Sequence, residues 1–284
     1  MKKVTIVNLA EAKVHQQPIT MVTAYDATMA RIIEDAGVET ILVGDSLGMV
    51  IGGLENTLEV TLEEVAYHCR AVRRGAPNPF LVADMPFMSY QASPEEAVRN
   101  AGYLVRQGRA EAVKLEGGRS IVAQVRAIVD AGIPVVGHVG LTPQSVHAMG
   151  GFKVQGRHQA AAQRVLEDAR AVVEAGACMV VLEGIPKELA EQITSSLPVP
   201  TIGIGAGVGC DGQVLVCTDL LGMNPSFRPK FVRPFMDGYA QMRGAFEGYV
   251  RAVKERSFPS AEESFSSPAA GGRQAVGDKV TRLY

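Results

Sequence analysis

Short apolar segments alternate with longer amphipathic ones along most of the chain. Their apolar character is continuous, as is typical of parallel strands that are covered on both faces. Most are rich in β-branched residues and are flanked by glycine or proline. Eight segments are predicted as strands, the last with the weakest pattern: residues 18–25, 40–46, 79–86, 111–117, 133–140, 178–184, 200–207 and 214–222.

Helical patterns with recognisable ends separate these strands. Residues 61–75 place Thr61 and Glu64 at capping-box spacing, and residues 93–108 begin with serine followed by proline at the first helical position. Repeated βα units predict parallel strands joined by right-handed crossovers. Eight such units within about 250 residues favour a closed (β/α)8 TIM barrel. A doubly wound open sheet is the alternative that periodicity alone leaves open.

Two helices and a tail lie outside the predicted barrel. Residues 1–17 are predicted as a short N-terminal helix and residues 231–256 as a C-terminal helix. We therefore predict one catalytic domain over residues 1–256. Residues 257–284 contain Ser, Ala, Gly and charged residues without periodicity, which predicts a polar, disordered tail.

Composition and charge narrow the class of protein. A net charge of −2 and the lack of long basic runs give no electrostatic reason to expect nucleic acid or membrane partners. No apolar stretch approaches the ~20 residues that a membrane-spanning helix needs. The four cysteines have no CxxC or zinc spacing, and polar residues interrupt the N-terminal apolar run, so that no signal peptide is expected. These features predict a cytoplasmic enzyme with reduced thiols.

Polar side chains end five successive predicted strands. In α/β barrels the catalytic groups lie at the C-terminal ends of the strands, so these side chains would surround one opening. Taken singly, each has a structural explanation, such as a turn, a strand end, a hydrogen-bonded core histidine or a loop anchor. Their recurrence on neighbouring strands favours a common site. The candidates are Asp45, Ser46, Asp84, Lys114, Glu116, His138 and Glu183.

The three carboxylates among these candidates, Asp45, Asp84 and Glu116, would repel one another unless a cation neutralises them. Oxygen ligands without thiols favour Mg²⁺ over zinc. Mg²⁺ completes its shell with substrate oxygens, and a 2-oxo acid offers two of them. Lys114 could then neutralise the substrate carboxylate, while Glu183 could act as general base or acid.

Two glycine-rich segments have alternative interpretations. Residues 203–209, GIGAGVG, do not fit the GxGxxG dinucleotide pattern because Val208 occupies the third glycine position. They could form a phosphate site after the seventh strand, or a tight turn where the backbone approaches a ligand. Residues 140–157 form a long loop, which could cover a second substrate or simply connect two elements.

Several segments closely resemble the 3-methyl-2-oxobutanoate (ketopantoate) hydroxymethyltransferase family. They cover about residues 4–255 in order, and together they are far more specific than any single motif. The matching segments are TAYDATMARIIEDAG, LVGDSLGMV, YHCRAVRRGAPNPFLVADMPFMSY, AVKLEGG, GHVGLTPQSVHAMGGFKVQGR, VVLEGIPKELA and IGIGAG followed by DGQVLV.

The resemblance implies a (β/α)8 barrel of the phosphoenolpyruvate/pyruvate superfamily. It also implies transfer of a hydroxymethyl group from 5,10-methylenetetrahydrofolate to 3-methyl-2-oxobutanoate, giving 2-dehydropantoate and tetrahydrofolate in pantothenate biosynthesis. The expected intermediate is an enolate stabilised by one Mg²⁺ per subunit, and the expected assembly is a homodecamer.

The resemblance also implies a role for each candidate residue. Asp45, Asp84 and Glu116 match the Mg²⁺ site, directly or through water. The substrate contacts are matched by Asp45, Ser46, Asp84, Lys114 and His138, and the proton acceptor is matched by Glu183.

Two alternatives to this activity stay open. Another Mg²⁺-dependent 2-oxo-acid C–C lyase of the same superfamily would share the metal-held oxo acid. Such lyases typically use a loop cysteine, whereas Cys69 and Cys178 do not lie at the C-terminal end of a predicted strand. A non-catalytic barrel would predict a broken acidic cluster, but the cluster is intact.

Overall fold

The apolar segments form eight parallel strands that close into a barrel in the order β1 to β8. The computed structural model describes residues 2–266 of the chain. β1 pairs with both β2 and β8, which confirms the predicted barrel and excludes the open sheet. The strands β1 to β8 are Ile19–Thr23, Thr40–Val43, Phe80–Asp84, Ala112–Glu116, Val135–Gly140, Met179–Glu183, Thr201–Ile204 and Gly212–Leu215.

Helices connect most of the strands on the outside of the barrel. The Thr61–Glu64 capping box and the Ser93 cap are present as predicted. Within residues 2–266, no helix is both long and apolar enough to cross a bilayer. The helices α1 to α11 are Ile6–Val14, Ala27–Asp35, Leu47–Val50, Leu62–Gly75, Pro94–Tyr103, Val122–Asp130, Val146–Met149, Gln159–Glu174, Lys187–Ser196, Cys217–Leu220 and Gly238–Lys254.

The eighth predicted strand was wrong in its second half. β8 ends at Leu215, and part of the segment predicted as strand forms the short helix α10. The neighbouring strand explains the change, because the Thr23 hydroxyl at the end of β1 accepts a hydrogen bond from the Cys217 N–H at 3.0 Å. This bond takes the place of further pairing between the strands.

The C-terminal helix also begins later than predicted, at Gly238 instead of residue 231. The Asp237 side chain caps it by accepting a hydrogen bond from the Ala240 N–H. By its internal contacts the described part of the chain divides into two compact units. The first ends at residue 236 and contains the barrel, and the second begins at residue 237 and contains α11. The domain boundary at residue 256 stays a prediction. Of the predicted tail, residues 267–284 lie outside the described residues.

Inside the barrel, apolar side chains lie at the N-terminal ends of the strands and polar side chains at the C-terminal ends. Alternate residues of each strand point inward, and the first inward positions, such as Phe80, Ala112 and Met179, are fully apolar. Leu9 and Ala12 of α1 belong to the same buried cluster, so that α1 covers the N-terminal end of the barrel. The polar side chains at the C-terminal ends of the strands therefore lie next to a packed apolar layer.

Candidate active site

The polar layer follows from the alternation of side chains along neighbouring strands. Asp84 is the last residue of β3, and Lys114 and Glu116 occupy successive inward positions of β4. The strand register aligns Asp84 with Lys114 and Glu116 with His138. Alternation and register together bring the four side chains close to one another inside the barrel.

All seven predicted site residues line one cavity of about 180 Å³ at this end of the barrel. Asp45 follows β2 and is 4% exposed, and its backbone N–H donates a hydrogen bond to Asp84 Oδ2 at 3.0 Å. The Ser46 hydroxyl lies 2.8 Å from the Tyr25 hydroxyl and is hydrogen-bonded to it. The structure therefore brings together every residue that the sequence singled out.

Lys114 lies at the centre of the charged layer and is 5% exposed. Its Nζ lies 3.0 Å from Asp84 Oδ1 and 3.8 Å from Glu116 Oε1. It also makes a 3.1 Å hydrogen bond with His138 Nδ1. Lys114 is thus held more closely by Asp84 and His138 than by Glu116, two residues along the same strand.

His138 lies between two carboxylates. Its Nδ1 lies 3.3 Å from Glu116 Oε1, and its Nε2 lies 3.2 Å from Glu183 Oε2 without the alignment of a hydrogen bond. Glu183 is the last residue of β6. Its side chain is 17% exposed and is more accessible than that of Glu116. The imidazole therefore connects the buried charges of β4 with a carboxylate that reaches the open part of the cavity.

The protonation of the layer reflects burial and crowding. Burial raises the pKa of Asp45 well above its usual range, and the nearby carboxylates of Asp84 and Glu116 raise it further. Burial also raises the pKa of Asp84, although the Lys114 ammonium opposes this. Repulsion between these carboxylates is part of the cause, and an additional cation would relieve it.

The pKa values of His138 and Glu116 are shifted in the direction that favours their charged forms. Burial and the Lys114 charge lower the pKa of His138, but contacts with Glu116 and Glu183 outweigh them and raise it to about 9. Burial would raise the pKa of Glu116, yet the His138 and Lys114 charges and a backbone hydrogen bond keep it below its usual value. Glu116 is accordingly an anion paired with two neighbouring groups.

Gln144 is a site residue that sequence reasoning did not identify. Its backbone N–H donates to Glu116 Oε2 at 2.9 Å, and its side-chain Nε2 donates to Asp45 Oδ2 at 2.9 Å. Its Oε1 accepts hydrogen bonds from the Tyr90 hydroxyl and from Gln91. One buried residue therefore orients two of the three carboxylates, Glu116 through its backbone and Asp45 through its side chain. It lies in the loop over residues 140–157, whose length was the only available signal.

Replacing Gln144 by alanine is expected to lower the free energy of unfolding by about 1–3 kcal/mol, because buried acceptors on Asp45 and Met85 lose their donor. Chemical denaturation measures the change. Gln163→Ala is the matched control, since Gln163 makes only an exposed contact with Glu167 and should change stability by less than about 0.5 kcal/mol. Equal stabilities of the two variants would contradict the importance of the network.

The glycine-rich segment after β7 has a packing role in this structure. Gly205 has a φ of +62°, and a Cβ atom there would lie 3.0 Å from the ring of Phe231. Gly207 has a φ of +83°, and a Cβ atom there would lie 2.5 Å from the Cβ atom of Lys187. Of the two interpretations of this segment, the geometry favours a tight turn that other parts of the chain approach closely.

The donor set fits a hard divalent cation. Asp45 and Asp84 are adjacent, buried and only partly neutralised, whereas both oxygens of Glu116 are engaged by His138, Lys114 and Gln144. Among the described residues, no three His, Cys, Asp or Glu side chains are already arranged as a metal cluster. Mg²⁺ does not require one, since it usually takes one or two carboxylates and retains water.

The sequence matches the family model of ketopantoate hydroxymethyltransferase over residues 3–261. It is 54% identical to the 3-methyl-2-oxobutanoate hydroxymethyltransferase of Clostridium botulinum over 263 residues, which are 93% of this chain and 96% of that protein. The protein of the same name from Syntrophus aciditrophicus is 54% identical over 264 residues, 93% of this chain and 97% of that protein.

The chain belongs to the ketopantoate hydroxymethyltransferase family. Membership confirms the resemblance seen in the sequence, and the protein is accordingly an enzyme that transfers hydroxymethyl groups.

Solved structures of low sequence identity share the fold of this family member. 2,3-Dimethylmalate lyase, a member of the PEP mutase/isocitrate lyase superfamily, has a TM-score of 0.58 at 16% identity, covering 94% of this chain and 90% of that one. A phosphonopyruvate hydrolase complex with oxalate and Mg²⁺ has a TM-score of 0.57 at 15% identity, covering 93% of each chain. At such low sequence identities the structural similarity supports only the barrel fold. The chemistry has to be inferred from the residues of the site.

Proposed function

We propose that the enzyme transfers a hydroxymethyl group from 5,10-methylenetetrahydrofolate to 3-methyl-2-oxobutanoate, consuming water and forming 2-dehydropantoate and tetrahydrofolate. The relatives from C. botulinum and S. aciditrophicus carry the name of this activity. The observation that carries the proposal is the single cavity that joins the Lys114–Asp84 ion pair to Glu183 through His138.

The 2-oxo acid binds against the β2 to β4 side of the cavity. Lys114 is a buried cation that faces this side, and it neutralises the substrate carboxylate when the acid enters. The Ser46 hydroxyl, held by Tyr25, is a neutral partner for the same oxygens. The substrate thereby receives charge and hydrogen bonds from groups that the fold has already placed.

Asp45 and Asp84 would hold the Mg²⁺ ion, with Glu116 acting through water because its oxygens already have partners. When bound, the ion polarises the oxo group and stabilises the negative charge of the enolate. The Mg²⁺ in the phosphonopyruvate hydrolase complex, bound on the same fold, supports this choice of metal.

Glu183 takes the proton from the carbon beside the oxo group. Its carboxylate is more accessible than Asp45, Asp84 or Glu116 and lies on β6, away from the metal ligands of β2 and β3. His138 Nε2 lies 3.2 Å from Glu183 Oε2, so the imidazole attracts the carboxylate by charge. The base and the cationic groups therefore approach the substrate from different strands.

Family membership supports the assembly and the pathway that we propose. We place the enzyme in pantothenate biosynthesis and in a homodecamer. Self-association is supported by the large apolar side chains that α11 exposes, including Phe246 at 70% and Tyr249 at 57%.

A direct assay tests the proposed reaction. Purified protein with Mg²⁺, 3-methyl-2-oxobutanoate and methylenetetrahydrofolate is expected to form 2-dehydropantoate, detected by mass spectrometry, and EDTA should suppress the product by more than tenfold. Added Mg²⁺ in excess of EDTA should restore it. The assignment fails if no product forms in the metal-supplied reaction, and the metal role fails if EDTA leaves the rate unchanged.

A further inference from the structure

The cavity has a second side whose chemistry differs from that of the metal side. β7, β8 and the segments after them contribute Ile204, Val214, Val216, Phe231 and Asp219. Because the strands follow one another in order around a closed barrel of eight, β8 lies opposite β4. Asp219, on the helix that follows β8, therefore lies across the barrel from Glu116.

Asp219 is a half-buried carboxylate without a protein donor. Within residues 2–266, no ion pair or hydrogen bond from another side chain reaches its oxygens, and burial alone accounts for the rise in its pKa. Withdrawing a carboxylate from water without a partner costs free energy. A ligand that supplies hydrogen-bond donors would remove this cost.

Phe231 supplies an aromatic surface on the same side of the cavity. The ring is 43% exposed and packs against Gly205, where the lack of a side chain allows the close approach. An exposed aromatic ring at the wall of a cavity is suited to stacking on a flat heterocycle.

The segment that carries Phe231 is strongly basic. Residues 224–235 contain Arg228, Lys230 and Arg233 and no Asp or Glu. Three cationic residues on the segment that carries this ring favour a ligand with a flat ring system at one end and negative charge at the other.

We propose that Asp219 and Phe231 bind the pterin ring of the folate co-substrate. The inference rests on the proposed function. The pterin ring presents an N3–H and a 2-amino group side by side, and a carboxylate can accept both hydrogen bonds. The ring stacks on Phe231, and the 224–235 segment supplies positive charge for the glutamate tail. This places the one-carbon donor against β7 and β8, across the barrel from β3 and β4.

Asp219→Asn tests the carboxylate, because asparagine keeps the size and loses the charge and one acceptor. We expect the KM for methylenetetrahydrofolate and the Kd for tetrahydrofolate, measured by calorimetry on the Mg²⁺-loaded enzyme, to rise about tenfold to a hundredfold. The KM for the 2-oxo acid should stay within about twofold. Phe231→Leu should weaken tetrahydrofolate binding by a smaller factor.

A second readout separates this inference from the proposed reaction. Exchange of the C3 proton of 3-methyl-2-oxobutanoate in D₂O, followed by NMR without folate, needs only the metal side and Glu183, so Asp219→Asn should exchange at the wild-type rate. Asp130→Asn is the matched control, since Asp130 is exposed at the C-terminal end of α6.

The outcomes discriminate between the two proposals. Wild-type enzyme that makes no 2-dehydropantoate overturns the proposed function. If wild-type enzyme is active and Asp219→Asn binds tetrahydrofolate normally, the pterin site is overturned alone. A variant that loses exchange and folate binding equally also overturns it, because the effect would then be on the whole cavity.

Discussion

Glu183→Gln is expected to lower kcat by about 10²–10⁴-fold, the usual contribution of a positioned general base. Glutamine keeps the shape of the side chain and its contact with His138 but has no basic oxygen to accept a proton. The cationic and hydroxyl groups that meet the 2-oxo acid lie on other strands, so the affinity for the acid should change by less than about threefold. Steady-state kinetics and calorimetric binding of the acid measure the two effects separately.

Proton exchange localises the defect in this variant. Glu183→Gln should lose the exchange of the C3 proton in D₂O as strongly as it loses turnover, because both need the same proton acceptor. Glu188→Gln is the control, since Glu188 lies five residues further along the chain with a side chain that is 72% exposed. Exchange at the wild-type rate in Glu183→Gln would assign the proton to another group.

The charged layer could be predicted because side chains alternate between the two faces of a strand every second residue. Lys114 and Glu116 share a face through alternation, and the parallel order of the strands sets their ends at one level. Neither argument needs a loop conformation. The same two rules account for Asp84, His138 and Glu183.

Residues that reach the site from loops could not be found in this way. Gln144 enters the cluster through a turn after β5, and Tyr90 through the loop after β3, whose backbone courses have no sequence period. Asp219 was hidden by an error in secondary structure, because the predicted strand over residues 214–222 includes it. Once β8 ends at Leu215, Asp219 lies on a helix at the mouth of the cavity.

The second large effect is expected from Lys114→Met, which removes the central cation and keeps a similar volume. Asp84 loses its ion-pair partner at 3.0 Å, and the buried carboxylates remain without compensation. Breaking a buried pair in this way costs about 3–5 kcal/mol of stability. Differential scanning calorimetry should therefore show a clearly lower Tm for the metal-free variant.

Mg²⁺ should restore the stability of this variant but not its affinity for the substrate. A divalent cation can neutralise the freed carboxylates, so Mg²⁺ should raise the Tm of Lys114→Met more than that of the wild type. It cannot replace the ammonium that faces the substrate carboxylate, so the KM for the 2-oxo acid should stay at least tenfold higher at saturating Mg²⁺. Lys187→Met, at a side chain that is 69% exposed, should match the wild type in both measurements. A Lys114→Met enzyme with a wild-type KM would show that the ammonium only balances the carboxylates around it.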